Sequence, residues 1–421
     1  MTYSEQLLDA IQAHKFSETR TLLKQALDQD DPEILASLAE NLSDLGFTDL
    51  AKEVYRKLIA QFPDEDLFKV YLAEILLNDG QEDDGLSLLY GVAPESDAYL
   101  ESLLVQADYY QSEGLLETAR AKMNQARELA PEEDAIEFGL AELDYMMEQS
   151  EAALPLYQDL AQRQKMFGEV NLNQRIFQTL AKLGRYEEAA AFINDHKEDL
   201  LDIDAKYQAG VIMVQAKRAK QAVEYLDAVI KQSPDYVNAY PFLAQAYRME
   251  GNFEEELYAA QTGLGYNEFD EELYQMGADA AMKLGKQDDA EDLLTRGLKV
   301  NPDNSSLRLL LANLDNYEGK YQEALDLFDQ LDDAELEPQA HWAMAQAWQG
   351  LDKYDQAQSE YLLAYPGLQD NAAFLRQMAL FFDAAGQKDL VKQVLAKYLP
   401  LAPNDEEMQE LYTDLLDDGG E

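Results

Sequence analysis

Small residues recur in this chain with a period of 34 residues. The glycines of two stretches keep this spacing: Gly46, Gly80 and Gly114, then Gly251, Gly285 and Gly319. Two further columns keep the same period: Ala39, Ala73, Ala107 and Ala141, and Ala51, Gly85, Ala119 and Ala153. Periods of about 20–50 residues are typical of stacked units that bury their apolar faces against their neighbours. The length therefore predicts a number of repeats rather than a number of globular domains.

Each repeat carries two amphipathic segments. In residues 305–337, leucines at positions 307, 310, 311 and 314 follow helical spacing up to Gly319, and a second apolar stripe begins at Tyr321. Glycine ends the first helix, and proline between repeats ends the second. The boundary prolines are Pro63, Pro131, Pro234, Pro302 and Pro403. The pattern predicts an all-α fold of helical hairpins.

The hairpins resemble the tetratricopeptide repeat (TPR). That family has a small residue late in the first helix, a turn glycine, an aromatic two residues later and then an alanine. Residues that match these features are Gly184, Tyr186 and Ala189; Ala244, Tyr247, Gly251 and Phe253; and Ala312, Gly319, Tyr321 and Ala324. The resemblance implies an α-solenoid, a superhelix of about twelve hairpins. The whole chain also resembles uncharacterised cytoplasmic TPR proteins of Gram-positive bacteria.

The spacing of the repeats divides the chain into three predicted parts. The period slips near residues 163–170, where Ala153 and Ala189 are 36 residues apart. We interpret this as a seam between an N-terminal arm, 1–167, and a C-terminal arm, 168–405; a long loop between two repeats is an equal alternative. Residues 406–421 are predicted to form a capping helix with an acidic tail.

Charge and composition exclude several classes of partner. The net charge of −50 disfavours nucleic acid and anionic lipid, and it favours a monomer. The chain has no cysteine and no apolar run long enough to span a membrane. We therefore expect a cytoplasmic protein without membrane insertion.

The sequence holds no recognisable catalytic motif. There is no nucleophile elbow, phosphate loop or dinucleotide fingerprint, and the three histidines lie in distant repeats. We expect no catalytic residue, no cofactor and no metal site, and hence no enzyme. One basic cluster, Lys217, Arg218 and Lys220, is interpreted as the end of a helix, with a contact to an acidic partner as the weaker alternative.

The TPR resemblance implies that the first helices line a concave groove where partners bind. Six residues before the turn, four consecutive repeats carry acids: Glu40, Glu74, Asp108 and Glu142. A basic segment would neutralise the mutual repulsion of such a row. The alternative is a solvated face in a chain rich in acids.

Farther along, the same row becomes rich in amides. Gln245, Asn313 and Gln346 occupy it, and Trp342, Tyr207 and Tyr317 lie on neighbouring first helices. Amides donate and accept hydrogen bonds together, so a ladder of them can hold an extended peptide backbone. Packing between helices explains the aromatic residues equally well. The convex face is an alternative binding surface.

These features predict a non-catalytic scaffold or adaptor that binds a protein or peptide in its groove. The alternative is a regulatory sensor, in which a peptide changes the solenoid and thereby controls a bound effector. An enzyme is a remote third hypothesis.

Overall fold

The repeating unit is a pair of helices joined by a turn residue in the left-handed backbone conformation. The computed structural model describes residues 1–200, 202–329 and 336–417. The first helices of the pairs are α1 (Tyr3–Gln12), α3 (Pro32–Asp44), α5 (Asp66–Asn78), α7 (Tyr99–Ser112), α9 (Asp134–Met146), α11 (Leu172–Lys182), α13 (Ile203–Gln215), α15 (Ala239–Glu250), α17 (Glu271–Lys283), α19 (Ser305–Glu318), α21 (Pro338–Gly350) and α23 (Ala372–Ala384).

The second helices follow directly after the turns. They are α2 (Phe16–Gln29), α4 (Thr48–Gln61), α6 (Glu82–Tyr90), α8 (Leu116–Leu129), α10 (Ser150–Arg163), α12 (Tyr186–Asp195), α14 (Ala219–Gln232), α16 (Phe253–Tyr266), α18 (Gln287–Val300), α20 (Tyr321–Asp326), α22 (Tyr354–Leu368) and α24 (Lys388–Tyr398). A last helix, α25 (Glu406–Asp417), follows the last pair. The predicted all-α solenoid of helical hairpins is confirmed, and the number of repeats stays a prediction.

The turn residues explain the glycine column. Gly251 and Gly319 end α15 and α19 with φ of 72° and 79°, a conformation that glycine adopts without the steric cost of a Cβ atom. The other glycine turns have similar φ: Gly46, Gly80, Gly114, Gly184, Gly285 and Gly386. The remaining turns use His14, Glu148, Lys217 and Asp352, also at positive φ. Glycine is therefore favoured at this position but is not required.

The alanine columns lie where helices cross. Ala39, Ala73 and Ala141 have no exposed surface, and the second column is equally buried from Ala51 to Ala153. At Gly85, an added Cβ would lie 2.7 Å from Cγ of Leu77. Small side chains are therefore required for the helices to approach this closely.

The chain forms two compact units, Met1–Leu201 and Asp202–Glu421. This division lies after the seam predicted at 163–170. Those residues instead include a short hairpin, β1 (Met166–Phe167) and β2 (Val170–Asn171), in which Phe167 stacks on Phe138 of α9 with ring centroids 4.3 Å apart. The predicted boundary at 167/168 stays a prediction about folding units.

The C-terminal helix covers the end of unit 2. Met408 and Leu415 of α25 are buried, and Leu411 and Tyr412 pack against the same core. The carboxylate of Asp405 accepts a hydrogen bond from the Arg376 guanidinium, at 3.0 Å from Nε. Residues 418–421 of the predicted acidic tail lie outside the described residues. Over the part of the chain that is described, no helix is both long and apolar enough to cross a membrane.

Candidate partner-binding site

The predicted acidic row comes together in unit 1. Glu40, Glu74 and Asp108 are all exposed, at equivalent positions of α3, α5 and α7. Partial burial raises the pKa of Glu74, and the nearby carboxylates of Glu101 and Asp108 raise it further. Glu101, which the sequence reasoning missed, thus adds a fourth negative charge beside the row. It lies seven residues, or about two helical turns, before Asp108 on α7, so a search along the row did not find it.

A cavity of about 280 Å³ lies between the ends of α5 and α7. Four carboxylates line it: Glu74, Glu82, Asp108 and Glu113. Burial raises the pKa of Tyr109 to about 12, and Glu82 adds to the shift by accepting a hydrogen bond from the tyrosine hydroxyl. The cavity is therefore strongly negative, with apolar walls from Leu77 and Val105.

Glu142, the fourth predicted member of the row, has a different environment. Arg175 of α11 donates two hydrogen bonds to its carboxylate, from Nε and a terminal nitrogen, each at 2.8 Å. The Tyr157 hydroxyl donates a third, at 2.6 Å. This charge is therefore neutralised within the chain. Nearby, Lys182 lies over the Tyr145 ring, 3.7 Å from its centroid, so two basic side chains of α11 lie beside the end of the acidic row.

In unit 2, the first helices α19, α21 and α23 surround a cavity of about 580 Å³, which we call the amide pocket. It is lined by Asn313, Asn316, Tyr317, Tyr321, Gln346, Gln349, Gly350, Asp352 and Gln377. Two of the predicted residues, Asn313 and Gln346, therefore face the same cavity. Among the described residues that line it, Asp352 alone is charged.

Gln377 organises the hydrogen bonds of the amide pocket. Its Oε1 accepts from Trp342 Nε1 and from Gln346 Nε2, both at 2.7 Å. Gln349 Oε1 accepts from the Tyr361 hydroxyl at 3.0 Å. Among the described residues, these bonds leave the N–H groups of Gln377 and Gln349 and the carbonyl oxygen of Gln346 without a partner. Both donors and acceptors are therefore available to a ligand.

Not every predicted residue reaches this pocket. Gln245 is half-buried on α15 and does not line the cavity. Tyr207 packs against Tyr236 and Phe242, as the packing alternative expected. Tyr317 is 79% exposed at the rim of the pocket, which leaves its ring accessible to a partner.

Sequence reasoning missed several pocket residues because they lie off the row that it followed. Gln377 lies nine residues before its turn, and Asn316 and Gln349 lie three residues before theirs. A search of the neighbouring positions on the same helix face for amides would have found them. The basic cluster also borders a cavity, of about 470 Å³, which Arg218 and Lys220 line together with Met249.

Comparisons with known proteins agree with this architecture. The family model described as tetratricopeptide repeat matches residues 37–99, 207–265 and 276–340. Models described as YpiA-like tetratricopeptide repeats match residues 111–165, and a C-terminal version matches residues 338–405. The chain is built of tetratricopeptide repeats. The repeat pattern read from the sequence is thereby confirmed.

A relative of nearly the same length occurs in a Gram-positive bacterium. The TPR repeat-containing protein YpiA of Bacillus subtilis is 28% identical over 406 residues, which cover 96% of this chain and 95% of the relative. The resemblance to TPR proteins of Gram-positive bacteria is thus supported along almost the whole chain.

Solved TPR structures share lower identity. A tetratricopeptide repeat protein from Parabacteroides merdae is 17% identical over 62% of this chain and 98% of its own, with a TM-score of 0.44. A chain of the APC/C hetero-tetramer Cut9-Hcn1 is 14% identical. The match covers 97% of this chain and 95% of that chain, with a TM-score of 0.42. YrrB, described as a TPR protein with an unusual peptide-binding site, is 16% identical. The match covers 44% of this chain and 95% of YrrB, with a TM-score of 0.39.

Proposed function

We propose that this TPR protein is a non-catalytic scaffold that binds extended polypeptide segments on the faces of its first helices. Tetratricopeptide repeats serve in general as protein-interaction modules, and the repeats extend along most of the chain. We propose in addition that the bound segment is an extended polypeptide, that it lies on the first helices, and that the chain acts as an adaptor.

The amide pocket carries the proposal. An extended peptide presents N–H and C=O groups in alternation, and a neutral surface with both kinds of group can satisfy them whatever the side chains are. Gln377 and Gln349 supply donors, and Gln346 supplies an acceptor. The hydrogen bonds from Trp342 and Gln346 hold Gln377 in place before binding, which lowers the entropy lost when a peptide docks.

The acidic row supports a second contact, to a basic segment of the partner. Glu40, Glu74 and Asp108 are exposed, and the pKa of Glu74 is raised first by desolvation and then by the neighbouring carboxylates of Glu101 and Asp108, whose repulsion a cation would relieve. Glu142 would contribute less than the other three, since Arg175 already neutralises it. Each exposed charge contributes little alone, so the row would act through several ion pairs together.

Site-specific photo-crosslinking in cells tests the proposal directly. A photoreactive amino acid at Asn313 should capture a defined polypeptide. The matched control places the same group at Asp292, which is exposed on the second helix α18. Changing Gln377 to Ala should then reduce the yield at Asn313. Equal capture from both positions, or a yield at Asn313 that this change leaves intact, would contradict binding in the amide pocket.

Two further predictions concern catalysis and regulation. Absence of catalysis is expected from the repeat class, and the purified chain should turn over no substrate. The regulatory-sensor alternative predicts that a bound peptide changes the release of a second protein from the chain. A competition experiment with the captured polypeptide and any second partner would separate it from a simple scaffold.

A further inference from the structure

Unit 2 exposes an unusual set of aromatic rings on its second-helix side. Tyr258, Tyr266 and Phe269 have 67%, 51% and 70% of their surface exposed. Tyr258 and Tyr266 are eight residues apart on α16, so they lie on one face of the helix about 12 Å apart. Thr262 lies midway between them. We call these three aromatic residues the α16 patch.

One ring of the α16 patch, Tyr266, packs against a buried tyrosine of α15. Tyr240 of α15 is buried, and its hydroxyl donates to the Pro234 carbonyl oxygen at 2.7 Å. Tyr266 stacks on the Tyr240 ring with centroids 6.0 Å apart and planes 20° apart. Gly263 makes room for that ring, because an added Cβ would lie 2.7 Å from Tyr240 Cβ. The exposed Tyr266 ring is therefore held in place by contacts within the chain.

In the next repeat, a cation covers the ring that is equivalent to Tyr240, which Tyr266 covers in the α16 repeat. Tyr274 and Gly297 lie 34 residues after Tyr240 and Gly263 and make the same close approach. There, the Arg296 guanidinium lies over the Tyr274 ring, 5.6 Å from its centroid, and Asp292 holds it with a 3.2 Å hydrogen bond. A cation over a ring in this position is thus an arrangement that the chain itself uses.

The α16 repeat lacks that cation. The position equivalent to Arg296 is Thr262, whose hydroxyl donates to the Tyr258 carbonyl oxygen at 2.7 Å. In the described part of unit 2, no lysine or arginine lies over Tyr258 or Tyr266. The surrounding exposed charges are negative: Asp235, Glu254, Glu255 and Glu268. Aromatic faces and carboxylates both attract a cation, and guanidinium stacks on such rings more readily than ammonium.

We propose that the α16 patch docks an arginine-bearing segment of a partner protein. The partner's guanidinium lies between the Tyr258 and Tyr266 rings, beside Thr262. Phe269 and the surrounding carboxylates complete the contact. This surface is formed by the second helix α16 and the loop after it, so it goes beyond the proposed binding on first-helix faces. The chain would then hold two segments at the same time, one on each kind of helix.

Two substitutions of equal charge test the proposal. Thr262→Arg puts back the internal cation that the next repeat has, within reach of both tyrosines at i−4 and i+4. Gln261→Arg adds the same charge one residue away on an exposed part of α16. The probes are two fluorescein-labelled peptides of equal length, one of alternating Arg and Gly and one of alternating Lys and Gly. Binding to the full chain is measured at physiological salt.

We expect the Arg peptide to bind more tightly than the Lys peptide, and Thr262→Arg to weaken it about tenfold. Gln261→Arg should change its affinity less than about twofold, because net charge alone has a small effect at this salt concentration. Equal binding of the two peptides, or an equal loss in the two variants, would show attraction to the overall charge only and would overturn the proposal.

Hydrogen exchange locates the bound peptide independently of these variants. Protection by the Arg peptide is expected in residues 253–270. Protection confined to the first helices would overturn the assignment, even if the affinities behaved as expected. Sedimentation at increasing concentration provides the last check: a dimer that Thr262→Arg dissociates would mean that a second copy of the chain, rather than another protein, occupies the patch.

Discussion

Single small residues determine how closely the helices of this chain pack. Ala244 and Ala312 have no exposed surface and occupy the crossing in two repeats of unit 2. A larger side chain there has no cavity to fill, so it must displace backbone. The sequence predicted this role from the period, since a neighbouring helix limits the size of a position that stays small in most repeats.

Replacing Ala244 or Ala312 with Leu should destabilise the protein by about 1–3 kcal/mol through overpacking. Thermal unfolding followed by circular dichroism measures the effect. Ala384→Leu is the matched control, because Ala384 is exposed at the end of α23 and should leave the melting temperature nearly unchanged. If the buried and exposed changes lower the melting temperature equally, the crossing argument is wrong.

A buried carboxyl group in unit 2 should make stability depend on pH. Burial raises the pKa of Asp315 to about 6; Lys320 opposes the shift, and Glu291 adds to it. Since this pKa lies above the unfolded value, the group contributes most to stability in its protonated form, below about pH 4. That contribution is lost as the pH rises through about 6.

Asp315→Asn should therefore stabilise the protein at pH 8, by about 1–2 kcal/mol, because it removes a charge that is costly to bury. Below pH 4, where both side chains are neutral, the difference should nearly vanish. Urea midpoints of the two proteins at pH 4, 6 and 8 give the comparison. A constant difference across this range would show that the carboxyl does not titrate near pH 6.

Helix faces combine residues that are far apart in the sequence. The acidic row was predictable because its members keep the period, so a register assignment was sufficient. Arg175 and Gln377 were not predicted, because each acts through a side chain 31–35 residues away, on another helix. Such pairs depend on rotamers and on the separation of helices, which a repeat pattern leaves undetermined. The hairpin at 166–171 was not predicted either, because it occurs only once and a repeat pattern does not specify the structure of a single insertion.

Reversing the charge of the acidic row should weaken the binding of a basic segment to the face of α3, α5 and α7. Changing Glu40, Glu74 and Asp108 together to Lys should weaken a labelled oligolysine peptide by about tenfold or more at low salt. Each single change should have a small effect, and affinity should fall steeply with added salt in the parent. Fluorescence anisotropy with the full chain measures all of these.

Glu18, Glu117 and Glu128 provide the charge-matched control for the acidic row. All three are exposed, and they lie on the second helices α2 and α8. Changing these three to Lys alters the net charge equally, so a comparable loss of affinity would mean that the peptide responds to overall charge. Helicity should be unchanged in both triple variants.

At the scale of the whole molecule, repeats interact mainly with their neighbours, so folding can divide into parts. The sequence predicted a division near 167/168, and the contacts within the structure divide the chain at 201/202. Fragments made at these two boundaries lose different interactions. A cut after Phe167 falls inside the hairpin turn and separates Arg175 from Glu142. A cut after residue 201 leaves both the hairpin and this ion pair within unit 1.

Unfolding of the full chain should therefore deviate from a two-state transition, and the two pairs of fragments should behave differently. We expect fragments 1–201 and 202–421 each to keep native-like helical circular dichroism. Fragments 1–167 and 168–421 should also be helical if the seam is real, but 1–167 should melt at a lower temperature than 1–201, because it lacks the helices that cover α10.

Calorimetry of the full chain should give a van't Hoff enthalpy below the calorimetric enthalpy. If 1–201 and 202–421 are unfolded in isolation while the full chain melts in one two-state step, the chain is a single cooperative unit and neither division describes its folding.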